Sequence, residues 1–249
     1  MNKEKILGII PARYASTRFP GKPLALINDK SMIQLVYEQT AKALDNVIVA
    51  TDDQRIFEVV EKFGGKAVMT SEAHTSGTER CLEAAQIYSV HTATNFDVII
   101  NVQGDEPLIQ SEIITLLADA FDEQEVEIAT LVNKKSFSDE IKNPNKVKVV
   151  VSKNGYAKYF SRNQIPFVRN IDQINEINFY THIGIYAYRF SVLQKICKLE
   201  ISNTEKAEKL EQNRWLENDY RIKVLETDYQ TIGVDTPEDL EKIIFFYKK

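Results

Sequence analysis

Two hydrophobic periods alternate along the first half of this chain. Residues 6–10 form a short unbroken apolar run closed by Pro11, the pattern of a buried strand. Ser31 with Gln34 three residues on reads as a capping box. Behind it Ile33, Val36, Tyr37, Thr40 and Leu44 share one helical face. Residues 46–50 (NVIVA) are a second strand. Ile56, Val59, Val60 and Phe63 then fall at i, i+3, i+4 and i+7, a helix ended by Gly64-Gly65. Residues 66–69 read as a third strand. Ser76 and Glu79 form another capping box, opening a helix that runs to about Tyr88. Residues 98–102 are the fourth strand, and Ile113, Ile114, Leu117 and Phe121 mark the helix after it.

The second half is less regular. Strand-like runs occur at 127–132, 147–151, 156–160 and 183–189, and the polar segment 169–178 reads as a loop. A helix rich in Glu and Lys is predicted over 203–215. A strand at 222–226 precedes Gly233-Val234-Asp235, and a final helix carries Leu240, Ile243, Ile244 and Tyr247 on one face. Strands separated by helices imply right-handed crossovers and a parallel sheet. With no repeat or linker in view, the pattern predicts one α/β domain over residues 1–249, its irregular stretch at about 130–215.

Composition narrows the function classes. The 249 residues carry a formal charge of −5, which gives no long-range pull toward nucleic acid or anionic membrane. Any anionic ligand must be held by local basic groups. Two cysteines are too few for a disulfide framework, and a reducing cytoplasm is the expected setting. The first apolar run is far shorter than a signal peptide's, and no run approaches the roughly 18 residues of a spanning helix.

In an open parallel sheet, ligands bind outside the carboxyl ends of the strands. Pro11 onward, Thr51-Asp52-Asp53 and Gly104-Asp105-Glu106 all follow predicted strands and so share that edge. Asp105 can be a turn residue, since Asp and Pro favour turns, or a metal ligand beside bound phosphate. The first loop, ARYASTRFPGKPLA, places Arg13, Arg18 and Lys22 close together. It is not a Walker A loop: Ser16 stands at the first glycine position and Pro23 follows Lys22. No Gly-x-Gly-x-x-Gly occurs, so the dinucleotide fingerprint is absent. The loop is either a solvated surface segment or a triphosphate cradle built from charge-assisted hydrogen bonds.

SGTER (76–80) is first a helix start. Its cap accounts for Ser76 and Glu79, but a helix N-terminus also attracts anions, and Arg80 adds charge. In GVDTPEDLE (233–241), Thr236 suits the N-cap, Pro237 suits N1, and Glu238 and Asp239 suit the first turn. Asp235 is left over, a possible partner for Asp105. Two carboxylates plus phosphate oxygens commonly hold Mg²⁺. His182 on its own reads as structural, and EKAEKLEQ (205–212) as a solvated helix with Glu205–Lys209 type pairs.

IIPARYASTRFPGKPL, VIVATDD, TSGTER, NVQGDEPLI, YFSRNQIPF, HIGIYAYR, EKLEQNRWLEN and GVDTPEDLE occur in that order from near residue 9 to near 241. Together they resemble the 3-deoxy-manno-octulosonate cytidylyltransferases, or CMP-KDO synthetases. The resemblance implies a Rossmann-like nucleotide-diphospho-sugar transferase fold with a mixed, mainly parallel sheet flanked by helices. It also implies Mg²⁺ dependence, a homodimer, and a cytoplasmic enzyme of lipopolysaccharide biosynthesis that moves CMP from CTP to KDO.

Carried over residue by residue, the resemblance makes Arg13, Lys22, Asp105 and Asp235 catalytic, with Asp105 and Asp235 on the metal. Arg13, Ser16, Lys22, Ser76, Gly77, Thr78 and Gln103 should bind the nucleotide. Arg80, Arg162, His182, Tyr186, Glu211 and Gln212 should face the sugar, the irregular stretch supplying sugar and dimer contacts. The alternatives are a cytidylyltransferase for another acidic sugar, such as amino-KDO or a nonulosonic acid, and a non-catalytic nucleotide-binding regulator. A binding-only protein has no need of the second acid, and a nicotinamide dehydrogenase would need the glycine fingerprint that this sequence lacks.

Overall fold

Pro11 lies inside the first strand, where the sequence predicts that it ends it. In the computed structural model, which describes residues 3–15, 18–230 and 232–247, β1 spans Ile6–Ala12. It is followed by a small hairpin, β2 (Leu26–Ile27) and β3 (Lys30–Ser31), then α1 (Met32–Ala43), β4 (Asn46–Thr51), α2 (Gln54–Lys62), β5 (Ala67–Met69), α3 (Gly77–Thr92), β6 (Val98–Asn101) and α4 (Ser111–Asp119). The chain continues through β7 (Ile128–Lys135), α5 (Asp139–Lys142), β8 (Lys148–Val151), β9 (Ala157–Ser161), β10 (Phe179–Arg189) and α6 (Phe190–Ile196). It ends with α7 (Asn203–Glu208), α8 (Glu211–Glu217), β11 (Ile222–Glu226) and α9 (Pro237–Tyr247). Among the described residues, no helix is long and apolar enough to cross a membrane.

Where the sequence reading treats the chain as one domain, its contacts divide into two compact units, residues 3–118 with 232–247 and residues 119–230. In the first unit β1 lies between β4 and β6, with β5 outside β4, all parallel. A strand flanked on both sides and covered on both faces must be apolar throughout, which explains the unbroken runs at 6–10, 47–50 and 98–100. Those residues are buried, Gly8 included. Pro11 is tolerated because the ladder to β6 has already run out. The Val102 amide donates to the Ile9 carbonyl at 2.9 Å, so position 11 would aim its missing N–H beyond the end of β6. Gly104 fills that space: a Cβ there would sit 3.0 Å from the Pro11 carbonyl oxygen. The closing segment returns to this unit through Val234 and Ile243, buried against Ile27 and Met32.

In the second unit β7 pairs with β11 in parallel and with β10 antiparallel, while β8 pairs antiparallel with both β10 and β9. The predicted helix over 203–215 is two helices, because Lys209 takes a left-handed conformation, φ 54°. The predicted loop at 169–178 contains a 3-10 turn, Ile171–Glu176, whose Ile174 packs with Ile141 and Phe179. The two capping boxes read from the sequence also differ. At α3 both reciprocal bonds form. At α1 the Ser31 hydroxyl makes no cap bond, and Gln34 instead donates to Glu38 at 3.0 Å.

Candidate active site

The carboxyl ends of β1 and β6 open onto a polar cavity of about 380 Å³, lined among others by Arg13, Arg18, Lys22, Gln103 and Asp105. Each wall has a local cause. Gly21 (φ 71°) turns the basic loop back, and its amide donates to the Tyr14 carbonyl at 2.9 Å. Lys22 then opens a 3-10 turn, Lys22–Leu24, with Pro23 behind it. Arg13 donates to the carbonyl of His74, tying the basic loop to the segment that leads into α3. His74 Nε2 in turn lies 2.5 Å from Glu83, which also accepts from the Ser71 amide at 2.8 Å.

The helix start lies against the same strand ends. A Cβ on Gly77 would be 3.5 Å from Pro11 and 3.6 Å from Asn101. The Ser76 hydroxyl caps Glu79, whose carboxylate returns to Thr75 and Ser76. Burial pushes that carboxyl up, but hydrogen bonds from Thr75 and Ser76 outweigh it and hold the group below its ordinary value. Glu79 is therefore spent on the helix start, as the sequence implies. Gly77 and Thr78 begin a 16-residue helix whose N-terminal dipole favours an anion.

Asp105 and Asp235 converge. Lys22 Nζ is 2.7 Å from Asp105 Oδ2 and 3.6 Å from Asp235 Oδ1, and it donates to the Val234 carbonyl at 2.8 Å. Thr236 and Asp239 satisfy the start of α9 between themselves, Asp239 accepting from both the Thr236 and Asp235 amides. The Asp235 side chain is thus left for Lys22 and for Arg18, 3.1 Å away. Two carboxylates and a carbonyl aimed at one point form the all-oxygen donor set that suits Mg²⁺. No group of three or more His, Cys, Asp or Glu side chains able to hold a metal occurs among the described residues. Phosphate oxygens would have to complete the shell. Ser16, predicted at the nucleotide, lies outside the described residues.

Arg80, expected at the sugar, is held by partners within the first unit. Its side chain is 0 % exposed, with Nη2 2.5 Å from Asp52 and Nη1 2.6 Å from Thr70. The guanidinium braces the ends of β4 and β5 against α3, and this geometry favours an indirect role. Arg162 is likewise occupied, donating to the carbonyls of Glu208 (2.8 Å), Pro144 (3.2 Å) and Lys209 (3.4 Å).

The remaining predicted sugar residues group within the second unit. In a straight strand, residues four apart are about 13 Å apart. A bulge between Ile183 and Tyr186 instead brings the rings of His182 and Tyr186 to 5.2 Å. His182 Nε2 meets the Thr130 hydroxyl at 2.9 Å, and burial holds its pKa down to about 3, so the imidazole is neutral. Burial, and then the Glu211 carboxylate, pushes the Tyr186 phenol well up.

Glu211 and Gln212 open α8, and their position depends on residues the sequence reading passed over. Trp215, 1 % exposed, packs edge-on against Tyr186 and Tyr188 at 5.1 and 5.6 Å. Asn213 exchanges two hydrogen bonds with the Phe160 backbone, at 3.2 and 2.9 Å. Arg214 donates to Glu211 at 2.6 Å and reaches Glu205 at 3.3 Å. The one available signal is Trp215, an aromatic residue with no evident reason to sit on a solvated helix.

A family model described as cytidylyltransferase matches residues 7–223. A 3-deoxy-manno-octulosonate cytidylyltransferase from Parabacteroides distasonis is 53% identical, over 97% of this chain and 98% of that one. The chain belongs to the 3-deoxy-manno-octulosonate cytidylyltransferase family. A further member, from Fusobacterium nucleatum, is 49% identical over 98% of both chains. A solved CMP:2-keto-3-deoxy-manno-octonic acid synthetase complexed with CTP is similar to this chain with a TM-score of 0.89 and 42% identity, covering 98% of each. That similarity establishes the α/β fold class predicted from the sequence, a mixed and mostly parallel sheet flanked by helices. Family membership makes the protein a cytidylyltransferase.

Proposed function

We propose that this protein transfers CMP from CTP to the anomeric 2-hydroxyl of 3-deoxy-D-manno-octulosonate (KDO), giving CMP-KDO and pyrophosphate. The observation that carries the chemistry is the meeting of Lys22, Asp105 and Asp235 at the carboxyl edge of the parallel sheet. The choice of sugar rests on the family. The 2-hydroxyl oxygen forms the new bond to the α-phosphorus. The bond from that phosphorus to the α,β-bridging oxygen breaks, its electron pair leaves with pyrophosphate, and the hydroxyl proton passes to solvent.

Two anions must be brought together, since CTP carries a triphosphate and KDO a carboxylate. Asp105 and Asp235 would hold Mg²⁺, which supplies charge neutralisation at the α-phosphate and a lowered pKa for the attacking hydroxyl. Arg13 and Lys22 face the departing phosphates with positive charge. Gln103 and the Ser76–Gly77–Thr78 helix start bind the nucleotide. His182, neutral, offers a hydrogen bond without a charge, and Tyr186, Glu211 and Gln212 accept and donate to sugar hydroxyls. Arg80 acts by positioning the ends of β4 and β5, and Arg162 by positioning the Glu208–Lys209 backbone ahead of α8. We place the reaction in the cytoplasm, in a homodimer, as a step of lipopolysaccharide biosynthesis.

A panel of nucleoside triphosphates and acidic sugars, read by pyrophosphate release, tests the assignment. CTP with KDO should exceed every other pair. Preference for an amino-KDO or a nonulosonic acid would move the assignment to that sugar.

A further inference from the structure

The ammonium of Lys22 stands where the two acids meet. It is 2.7 Å from one carboxylate, 3.6 Å from the other and 2.8 Å from the Val234 carbonyl, three oxygens presented by two separate loops. Its side chain is only 14% exposed. Its backbone is fixed by the turn, with the Leu24 amide on Gly21 at 2.9 Å and the Ala25 amide on Lys22 at 3.1 Å. The ammonium can therefore leave only by rotation of its own side chain. Arg18, 3.1 Å from Asp235 and 67% exposed, adds a looser cation on one acid alone.

Two carboxylates held this close repel one another, and a cation between them removes the repulsion. An ammonium and a divalent cation on the same carboxylates repel each other in turn, so the two compete. A triphosphate entering the cavity offers Lys22 a more highly charged partner on its other side.

We propose that Lys22 is a placeholder cation. It closes the Asp105–Asp235 pair in the nucleotide-free protein, and the triphosphate draws it off, so that the pair accepts a divalent cation with or after the nucleotide. This rests on the reading of Asp105 and Asp235 as the metal-binding pair. One side chain then has two successive partners, which couples metal entry to substrate arrival and keeps the acids from holding a metal unproductively.

Mn²⁺ alone is the probe, its binding to nucleotide-free protein read by electron paramagnetic resonance. The Lys22→Met variant should bind Mn²⁺ about tenfold more tightly than wild type or better, while Lys22→Arg, which keeps the charge, stays within about threefold. In EDTA, calorimetry should show weaker CTP binding by Lys22→Met. Thermal melting reports whether each variant folds, and Lys22→Gln replaces Lys22→Met if that variant does not. Mn²⁺ should raise the Tm of the neutral variants and leave that of nucleotide-free wild type unchanged. A folded Lys22→Met or Lys22→Gln that binds Mn²⁺ no more tightly than wild type overturns the proposal. Asp105→Asn and Asp235→Asn separate the two possible failures. If they abolish Mn²⁺ binding while the Lys22 variants change nothing, only the placeholder role is lost. If they leave binding untouched with and without CTP, the metal pair is lost and the placeholder with it.

Discussion

The backbone amide of Val234 donates to the carbonyl oxygen of Asp105 at 2.9 Å. That bond stitches the loop after β6 to the loop before α9, two segments far apart in the sequence. It holds the Asp105 and Asp235 carboxylates within reach of one lysine through the backbone, without calling on either side chain. The acids are thus arranged before any ligand arrives.

Asp105→Asn and Asp235→Asn should each abolish turnover and leave the fold intact. Either change removes a charged oxygen from the point where charge must be neutralised during transfer. Loss of several kcal/mol of transition-state stabilisation is about a thousandfold or more in rate. Steady-state kinetics at saturating Mg²⁺, with circular dichroism for the fold, decides it. A near-wild-type rate in either variant would take that residue out of the site.

Lys22→Ala should raise the KM for CTP far more than the KM for the sugar. Its ammonium is bonded to Asp105 and the Val234 carbonyl and lies near Asp235, so the change removes the cation from the cavity that would take the triphosphate. Varying each substrate separately distinguishes the outcomes. A raised sugar KM with unchanged CTP dependence would place the loop on the wrong substrate.

Arg80→Met should cost stability before it costs sugar recognition. Breaking a buried ion pair by removing one partner costs about 3–5 kcal/mol, because the other charge is stranded. Here the stranded group is Asp52. The double variant Arg80→Met with Asp52→Asn should regain part of the loss in urea unfolding. A stable Arg80→Met protein with a selectively raised sugar KM would instead restore a direct contact.

Much of the first unit was legible in the sequence because its strands are buried on both faces and its helices carry plain 3.6-residue periodicity. That Asp105 and Asp235 lie close to one lysine could be anticipated, because each sits in a loop at an element's end and neither is consumed by a cap. What spacing does not show is what depends on partners distant in sequence. Arg80 looks like a free cation until Asp52 is seen beside it. Lys209 gives no sign that it breaks a helix, since no glycine marks the left-handed turn. The bulge that brings His182 against Tyr186 is invisible in an apolar strand whose regular rise would set those residues far apart on one face. Trp215, Asn213 and Arg214 position Glu211 through contacts that no spacing rule predicts.

His182 gives a pH signature. Its folded pKa, about 3, lies below the unfolded value of about 6.5, so the fold favours the neutral ring. The stability this contributes is present above pH ~6.5 and is lost as pH falls from there toward 3, at no more than about 1.4 kcal/mol per unit. Urea midpoints between pH 7 and 5 should fall more steeply for wild type than for His182→Gln. Identical slopes would mean that the imidazole is not held neutral.

The most direct test of the central claim is ³¹P NMR of CTP mixed with KDO labelled with ¹³C at carbon 2, in the presence of Mg²⁺. The account predicts one new phosphodiester resonance coupled to that carbon, appearing in step with pyrophosphate, and neither signal with the Asp105→Asn variant. Pyrophosphate release without the coupled resonance, or the coupled product at undiminished rate from Asp105→Asn, would contradict it.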